Sequence, residues 1–152
     1  MGRVYTVADN IAAFGTAAGD VVEGIPGTNK PFFVHSITIG QQDSETSENL
    51  GIRISRMATS GSGGATVAAN PLDPGDAADS ATWEFANTTD ASSTETVLSE
   101  DAFNVLSGYQ YLPAPENRPF FPSGGASFVV KIIDTPVANF DFQVTVVFEE
   151  LG

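Results

Sequence analysis

The chain has 152 residues, a length that suits one domain with a hydrophobic core of its own. It contains no cysteine, which excludes disulfides and every cysteine-based metal or nucleophilic site. Nineteen acidic residues oppose six basic ones, giving a formal net charge of -13, and this balance argues against direct binding of nucleic acid because it repels phosphate.

The sequence carries no signal for a membrane. No stretch approaches the roughly 20 apolar residues that a membrane-spanning helix needs, and the opening MGRVYTVADNIAAFG lacks the apolar segment of a signal peptide. We therefore expect a soluble, unprocessed protein that is made in the cytoplasm and contacts no membrane.

Alternation of apolar and polar residues with a period of two recurs along the chain and predicts short strands. The first predicted strand is RVYTVA at 3–8. The segment VADNIAAFGTAA comes nearest to a helical pattern, but its Asp-Asn pair and the glycines in and after it limit it to a short turn of helix. In PFFVHSITIG at 31–40, strict alternation predicts one shared face made of Phe33, His35, Ile37 and Ile39.

Six further strands are predicted between residue 50 and residue 134. They are LGIRISRM at 50–57, ATWEFA at 81–86, TETVLS at 94–99, FNVL at 103–106, RPFF at 118–121 and SFVVKIID at 127–134. The last of these is apolar on both faces, which is typical of a central strand or of a strand at a subunit contact. FDFQVTVVFEE at 140–150 is apolar on one face and polar on the other, as in a half-buried antiparallel strand.

These short strands define the expected fold. Gly-, Ser- and Pro-rich loops separate about eight to ten strands, and almost no helix is predicted. The sequence therefore predicts an all-β protein, a single-domain jelly roll or β-sandwich of antiparallel strands over residues 1–152, in which residues 1–20 can form an N-terminal arm.

An acidic stretch, NPLDPGDAADSATWEF, raises the question of a metal site. Asp73, Asp76 and Asp79 are three residues apart, whereas the calcium loop of an EF-hand needs acids at alternate positions and a glutamate at its twelfth position. The run DPGD matches the chemistry of a type I or type II turn. An ordinary corner between strands is the favoured interpretation, and a non-standard calcium site is the alternative.

The chemistry of an enzyme is hard to assemble from this chain. His35 is the single histidine, and its apolar neighbours favour a core or interface position with one hydrogen bond over a general base. A carboxylate pair such as Glu84 and Glu95 could in principle hydrolyse glycosides, but Glu84 is better explained as a solvent-facing residue opposite a buried Trp83. We expect no catalytic residue, no metal and no cofactor; a small hydrolase is the weakest alternative.

The segment GYQYLPAPENRPFFP combines four prolines with four aromatic side chains. Prolines hold a segment extended at low entropic cost, and aromatic side chains offer contact area with few rotamers. This combination is typical of a contact surface, whether with the protein's own core, a second copy or another protein.

The last two thirds of the chain resembles small jelly-roll virion components of tailed bacteriophages. RPFFPSGGASFVVKI and FDFQVTVVFEE are similar to the closing strands of such proteins, with a proline-containing edge, a Gly-Gly turn and two long strands. RISRMATSGSGGATVAANPLDPGDAADSATWEF leads from a strand through a Gly/Ser loop and a corner to another strand, and it is similar to phage structural proteins of this length.

The resemblance implies a capsid decoration (cement) protein. Such a protein is not an enzyme; it assembles as a homotrimer on the outside of the phage head, binds the major capsid protein and stabilises the shell. The implied location is the capsid exterior, after synthesis in the host cytoplasm. The predicted interface residues are Tyr109, Tyr111, Pro113, Pro115, Arg118, Phe120 and Phe121, with Tyr5 and Phe14 of the N-terminal arm as a second contact.

The main alternative is a carbohydrate- or receptor-binding β-sandwich module of a phage fibre. Such a module needs exposed aromatic rings that stack on sugars, and the candidates are Trp83, Tyr109 and Tyr111.

Overall fold

The computed structural model describes residues 2–15, 19–42 and 47–152. These residues form twelve strands and a 3₁₀ turn at Pro115–Asn117. The strands are β1 (Arg3–Phe14), β2 (Gly19–Ile25), β3 (Phe32–Gln41), β4 (Asn49–Thr59), β5 (Ala65–Val67), β6 (Asn70–Pro71), β7 (Thr82–Phe85), β8 (Ser92–Asn104), β9 (Tyr109–Tyr111), β10 (Phe120–Phe121), β11 (Ser127–Ile132) and β12 (Phe140–Glu150).

The strands form two antiparallel sheets that pack face to face. Sheet A has the order β10-β3-β12-β1-β6, with β9 also paired to β3, and sheet B has the order β5-β7-β2-β11-β4-β8. The first strand, β1, lies beside the last, β12, in sheet A. The second strand, β2, lies beside the second-to-last, β11, in sheet B. This is the nested pairing of a jelly roll, and the all-β, single-domain sandwich predicted from the sequence is confirmed.

The core lies between the two sheets and is rich in aromatic residues. Along β12 every second residue is buried, as the sequence pattern predicted. Trp83, on β7 of sheet B, is fully buried, and its ring centroid lies 4.6 Å from that of Phe148 on β12 and 5.4 Å from that of Phe32 on β3. Aromatic contacts of this kind join the two sheets across the middle of the sandwich.

The predicted faces of β3 are wrong because the strand contains a bulge. Its register against β12 shifts where Ser36 pairs with Val147 and Val34 pairs with Phe148, so that His35 is an extra residue. A bulge of one residue reverses the alternation that follows it. As a result Val34 and Ile37 both face the core, and His35 lies on the outer face of sheet A.

The N-terminal segment is a full-length strand. The short turn of helix predicted after residue 6 is wrong for residues 7–14, which continue β1 to Phe14; residues 16–18 lie outside the described residues. β1 pairs with β12 from Arg3 to Phe14. Near its start it also pairs with β6, at Tyr5 and Thr6, and beyond that point it is an edge strand of sheet A. Strand pairing overrides the weak helical pattern because β12 pairs with β1 continuously from Arg3 to Ile11 and again at Phe14.

Other strands also differ from the sequence-based prediction, and the short strands β5, β6 and β9 were not predicted. β2 was not predicted, because the glycines and acids of GDVVEGI weaken its strand pattern, yet six of its seven residues are buried. β8 is one strand of 13 residues that contains the predicted strand 94–99 and continues to Asn104, whereas residues 105 and 106 of the predicted strand 103–106 lie in a turn. No helix in the described part of the chain is long and apolar enough to cross a membrane.

Candidate functional site

The acidic corner is built as a turn. Asp73 Oδ1 accepts a hydrogen bond from the Gly75 amide at 2.9 Å, and the Asp76 amide donates to the Asp73 carbonyl at 3.0 Å. The side chain of Asp76 points to Arg3, with 3.4 Å between Oδ1 and Nε. Asp73 thus stabilises the turn, as the favoured interpretation of the sequence predicts, and Asp76 forms an ion pair with Arg3 on β1.

The third acid of the corner lies apart, next to the core. Burial and the charge of Glu150 raise the pKa of Asp79 above its usual range. The nearby indole N–H of Trp83 partly opposes this rise in pKa, although the two groups do not meet the geometric criteria of a hydrogen bond. Among the described residues, no three His, Asp or Glu side chains come together in an arrangement that could hold a metal ion.

Hydrogen bonds to β1 and β12 hold the corner against sheet A. The Tyr5 hydroxyl donates to the Ala77 carbonyl at 2.9 Å, and the Ser80 amide donates to Glu150 Oε1 at 2.9 Å. Glu150 is 3% exposed and is accompanied by Lys30, whose Nζ lies 3.6 Å from Oε2. Tyr5, one of the predicted interface residues, therefore has a structural role in holding the corner.

His35 belongs to a small polar cluster on the outer face of sheet A. Its Nε2 lies 3.0 Å from Glu149 Oε2, and Glu149 Oε1 accepts a hydrogen bond from the Gly2 amide at 3.1 Å. Arg118 Nη1 lies 3.4 Å from the same Nε2. One ring nitrogen cannot both donate to Glu149 and accept from Arg118. Because the Glu149 contact is the shorter one, we assign Nε2 of His35 as the donor to Glu149. The cluster joins β3 to β12 and to the first residues of the chain.

The structure divides the predicted interface residues into buried and surface residues. Tyr5, Phe14, Tyr109 and Phe121 are at most 8% exposed and belong to the core. The surface or half-buried ones are Tyr111, Pro113, Pro115, Arg118 and Phe120. Burial also raises the pKa of Tyr109 to about 12, with a smaller contribution from the charge of Asp101.

The Pro-rich segment runs along the free edge of β3. Its first end, β9, pairs with Ile37–Ile39, and its other end, β10, pairs with Phe32 and Phe33. Two leucines beside β9 project into solvent, Leu106 at 54% exposure and Leu112 at 71%. A surface depression of about 520 Å³ lies beside Leu106 and is lined by Thr38, Ile39, Gly40, Gln41, Leu106, Ser107, Gly108, Tyr109 and Gln110.

The middle of the outer face of sheet A carries no charged side chain. Three rows of cross-strand neighbours make up this surface, which we call the uncharged face. The rows are Thr6, Val147 and Ser36; Ala8, Thr145, Thr38 and Gln110; and Asn10, Gln143 and Gly40. All of these residues are exposed or half-buried. For a chain of net charge -13, such a surface is unexpected.

The acids at the two ends of the uncharged face are occupied. Glu149 binds the Gly2 amide and His35 at one end, and Asp141 Oδ1 accepts a hydrogen bond from the Ala13 amide at 2.6 Å at the other end. Their charges are therefore directed to partners within the chain and away from the middle of the face.

The outer face of sheet B is the opposite in character. Arg53 binds Glu95 and Glu100 there, at 3.2 and 2.9 Å. Lys131 Nζ lies 3.1 Å from Asp90 and 3.7 Å from Asp20. Burial lowers the pKa of Lys131, but the hydrogen bond to Asp90 and the nearby carboxylate charges outweigh it and raise the pKa overall. The outer face of sheet B thus carries charged side chains, whereas the middle of the outer face of sheet A carries none.

Asp20 is a buried acid beneath a surface loop on this side. Its Oδ2 accepts a hydrogen bond from the Ala91 amide at 2.5 Å, and its own amide donates to Asp90 at 3.1 Å. Burial raises the pKa of Asp20 to about 6; the hydrogen bond from Ala91 opposes this shift. This site was not predicted from the sequence, because β2 itself was not predicted.

The chain matches no protein-family model, no curated protein and no solved structure.

Proposed function

We propose that this chain is a non-enzymatic virion structural protein, an oligomeric decoration protein that binds the outside of a phage head and stabilises it. The observation that carries the proposal is the difference between the two outer faces of the sandwich. Sheet A presents the uncharged face, whereas sheet B presents Arg53, Lys131 and their acidic partners.

Charge explains why one face is suited to adhesion. A net charge of -13 keeps a protein soluble but opposes close contact with other acidic surfaces. An interface needs a centre that is depleted in charged side chains, since each unpaired charge that loses water costs free energy. The uncharged face meets this condition, and its small Thr, Ser and Ala side chains allow a partner surface to approach closely.

The edge beside the uncharged face suits contact between sister molecules. Tyr111 and Phe120 lie on the strands β9 and β10, and Leu112 stands exposed between them. Exposed apolar and aromatic side chains next to a depression are typical of interface centres. In the proposed trimer this edge packs against sister copies while the uncharged face contacts the major capsid protein.

The proposed activity is stabilisation by mass action. A protein that binds the assembled shell and not its dissociated subunits shifts the equilibrium towards the shell. Three linked copies add avidity, because the second and third contacts form within one complex.

The carbohydrate-binding alternative receives less support from the side chains. Trp83 is 0% exposed and Tyr109 is 8% exposed, so neither presents a ring face to a sugar. Tyr111, half-buried, is the remaining candidate of the three.

A charge placed on one face or the other tests the proposal. Thr38→Glu places a carboxylate in the middle of the uncharged face, and Val97→Glu places the same group on the outer face of sheet B, where Val97 is exposed and pairs with Ser55. Binding is measured by co-sedimentation with heads assembled from the major capsid protein of the same virus, after thermal melting has verified that both variants fold.

We expect Thr38→Glu to bind the heads at least about tenfold more weakly than the unchanged protein, and Val97→Glu to bind as well as it does. Equal binding by all three proteins would remove the uncharged face from the proposal. Absence of head binding by the unchanged protein would refute the function itself.

A further inference from the structure

Two glutamates stand directly opposite each other on the outer face of sheet B. Glu23 on β2 and Glu84 on β7 are cross-strand partners. The Cβ atoms of such partners lie about 4.5 to 5.5 Å apart, and like charges at these positions destabilise a sheet. Glu23 is 0% exposed, so bulk water does not separate the two charges.

The hydrogen bonds around Glu23 satisfy only one side of its carboxylate. Oε2 accepts from the Asn87 side-chain amide at 2.7 Å and from the Gly61 backbone amide at 2.9 Å. Three further buried oxygens of these side chains have no hydrogen-bond partner among the described residues: Glu23 Oε1, Glu84 Oε2 and Asn87 Oδ1. Because Nδ2 of Asn87 is committed to Glu23, the orientation of this side-chain amide is fixed and its oxygen remains an acceptor.

A glycine-rich loop closes over these oxygens. A Cβ on Gly64 would collide with Asn87 Oδ1 and with the Phe85 carbonyl, and a Cβ on Gly61 would collide with Asn87 Nδ2. The loop therefore approaches the amide of Asn87 as closely as only glycine permits. It lies against Asn87 Oδ1 at Gly64, and the Gly61 amide reaches Glu23 Oε2.

We propose that Glu23, Glu84 and Asn87 form a calcium site. Three buried acceptors, two of them on carboxylates, need positive charge, and no cationic side chain in the described ranges bonds to them. Calcium accepts carboxylate, amide and carbonyl oxygens in irregular geometry, whereas magnesium requires a near-ideal octahedron and retains its water. A bound calcium ion fixes β7, β2 and the loop that contains Gly61 and Gly64 to one another.

This site differs from the acidic corner. Asp73 and Asp76 satisfy their own turn and Arg3, and they offer no set of buried, unpartnered oxygens. The two possibilities are separated by changing one acid in each place. The inference is independent of the proposed decoration function, because it concerns the stability of the folded chain alone.

The test measures calcium binding and thermal stability of the full chain. Protein treated with EDTA and then freed of the chelator is titrated with calcium chloride by isothermal titration calorimetry in about 0.15 M NaCl, which screens diffuse attraction to the acidic surface. Melting temperatures are measured with calcium, with magnesium and with EDTA. The variants are Glu84→Gln at the site and Asp76→Asn at the corner; Glu23→Gln is added, but it alters a carboxylate that accepts two hydrogen bonds.

We expect one calcium ion per chain and a melting temperature that rises by about 5 to 10 °C when calcium is about 100 times its Kd. Glu84→Gln abolishes this rise, Asp76→Asn retains it, and magnesium gives a smaller rise. Identical melting temperatures in calcium and EDTA, with no calorimetric binding, would overturn the proposal. A rise that is lost in Asp76→Asn and kept in Glu84→Gln would move the site to the corner and would also overturn it.

Discussion

Arg56 on β4 joins the two sheets through the backbone of Phe120 on β10. Its Nε and Nη2 both donate to the Phe120 carbonyl, at 3.0 and 2.7 Å, and its guanidinium lies 5.4 Å from the ring centroid of Phe121. This contact fastens the Pro-rich edge of sheet A to the opposite sheet. It also places a cation where the edge strand would otherwise have only two pairs of residues to hold it.

Arg56→Met should therefore destabilise the fold. We expect a loss of about 2 to 3 kcal/mol in the free energy of unfolding, because the change removes two hydrogen bonds from a charged donor and a cation–π contact. Arg53→Met is the control, since Arg53 binds its two acids at the surface and such pairs contribute about 0 to 1 kcal/mol. Urea denaturation of both variants measures the difference. Equal losses would mean that Arg56 does not fasten the edge.

Gly24 is required because Trp83 packs against it. A Cβ at Gly24 would lie 2.6 Å from Cζ3 of the indole, and this ring is held by the core on its other sides. Gly24→Ala should cost about 1 to 3 kcal/mol through overpacking. Gly40→Ala, at a strand position with no heavy atom within 4 Å of the added Cβ, should change stability by less than about 1 kcal/mol. Near-identical melting temperatures for the two variants would contradict this account of the core.

The raised pKa of Asp20 predicts how stability depends on pH. The folded-state pKa is about 6, above the ordinary value of 3.8, so the folded protein binds more protons than the unfolded chain between these values. This group therefore contributes a stability that is greatest below about pH 4 and is lost as the pH rises through about 6. The size is about 1 to 3 kcal/mol, at about 1.4 kcal/mol for each unit of pKa.

Asp20→Asn tests this prediction. Its free energy of unfolding should fall less steeply between pH 4 and pH 6 than that of the unchanged protein, with part of the slope left because burial also raises the pKa of Asp79. Asp101→Asn removes the same formal charge at an exposed position and serves as the control. If Asp20→Asn and Asp101→Asn have the same slope, the effect comes from overall charge.

The bulge at His35 predicts that this residue can be deleted. Without it, Val34 would precede Ser36, and simple alternation would place Val34 and Ile37 on the core face as they are now. The deletion should fold and lose at most about 2 kcal/mol, mainly the contact with Glu149. Deletion of Thr145 from the unbulged middle of β12 should prevent folding, because it reverses the faces of a central strand. Circular dichroism and thermal melting distinguish the outcomes; an unfolded His35 deletion would contradict the assigned register.

The sequence predicted best those elements whose pattern is strong and local. The strict alternation of Phe142, Val144, Val146 and Phe148 was sufficient to place β12 on the core. The bulge at His35 has no local signature, because it depends on which residue of β12 lies opposite. β2 was missed because Asp20 and Glu23 look like surface residues until the loops that bind them are seen.

The candidate surfaces were less accessible to prediction, since they depend on long-range pairing. Thr145 could be placed on an outer face from β12 alone, but only the register brings Ala8 and Thr38 to its two sides. Tyr5 and Phe14 were predicted to lie at an interface, as part of an N-terminal arm. Their burial follows from the pairing of β1 with β12, which no single-strand pattern reveals.

The central claim is that the protein adheres through the uncharged face of sheet A. Electron cryomicroscopy of decorated heads, with this structure fitted into the density, tests it most directly. We predict that the row Ala8, Thr145, Thr38 and Gln110 lies against the shell, with Arg53 and Lys131 facing solvent. A map in which the charged face of sheet B contacts the shell, and the row on sheet A faces solvent, would contradict the claim.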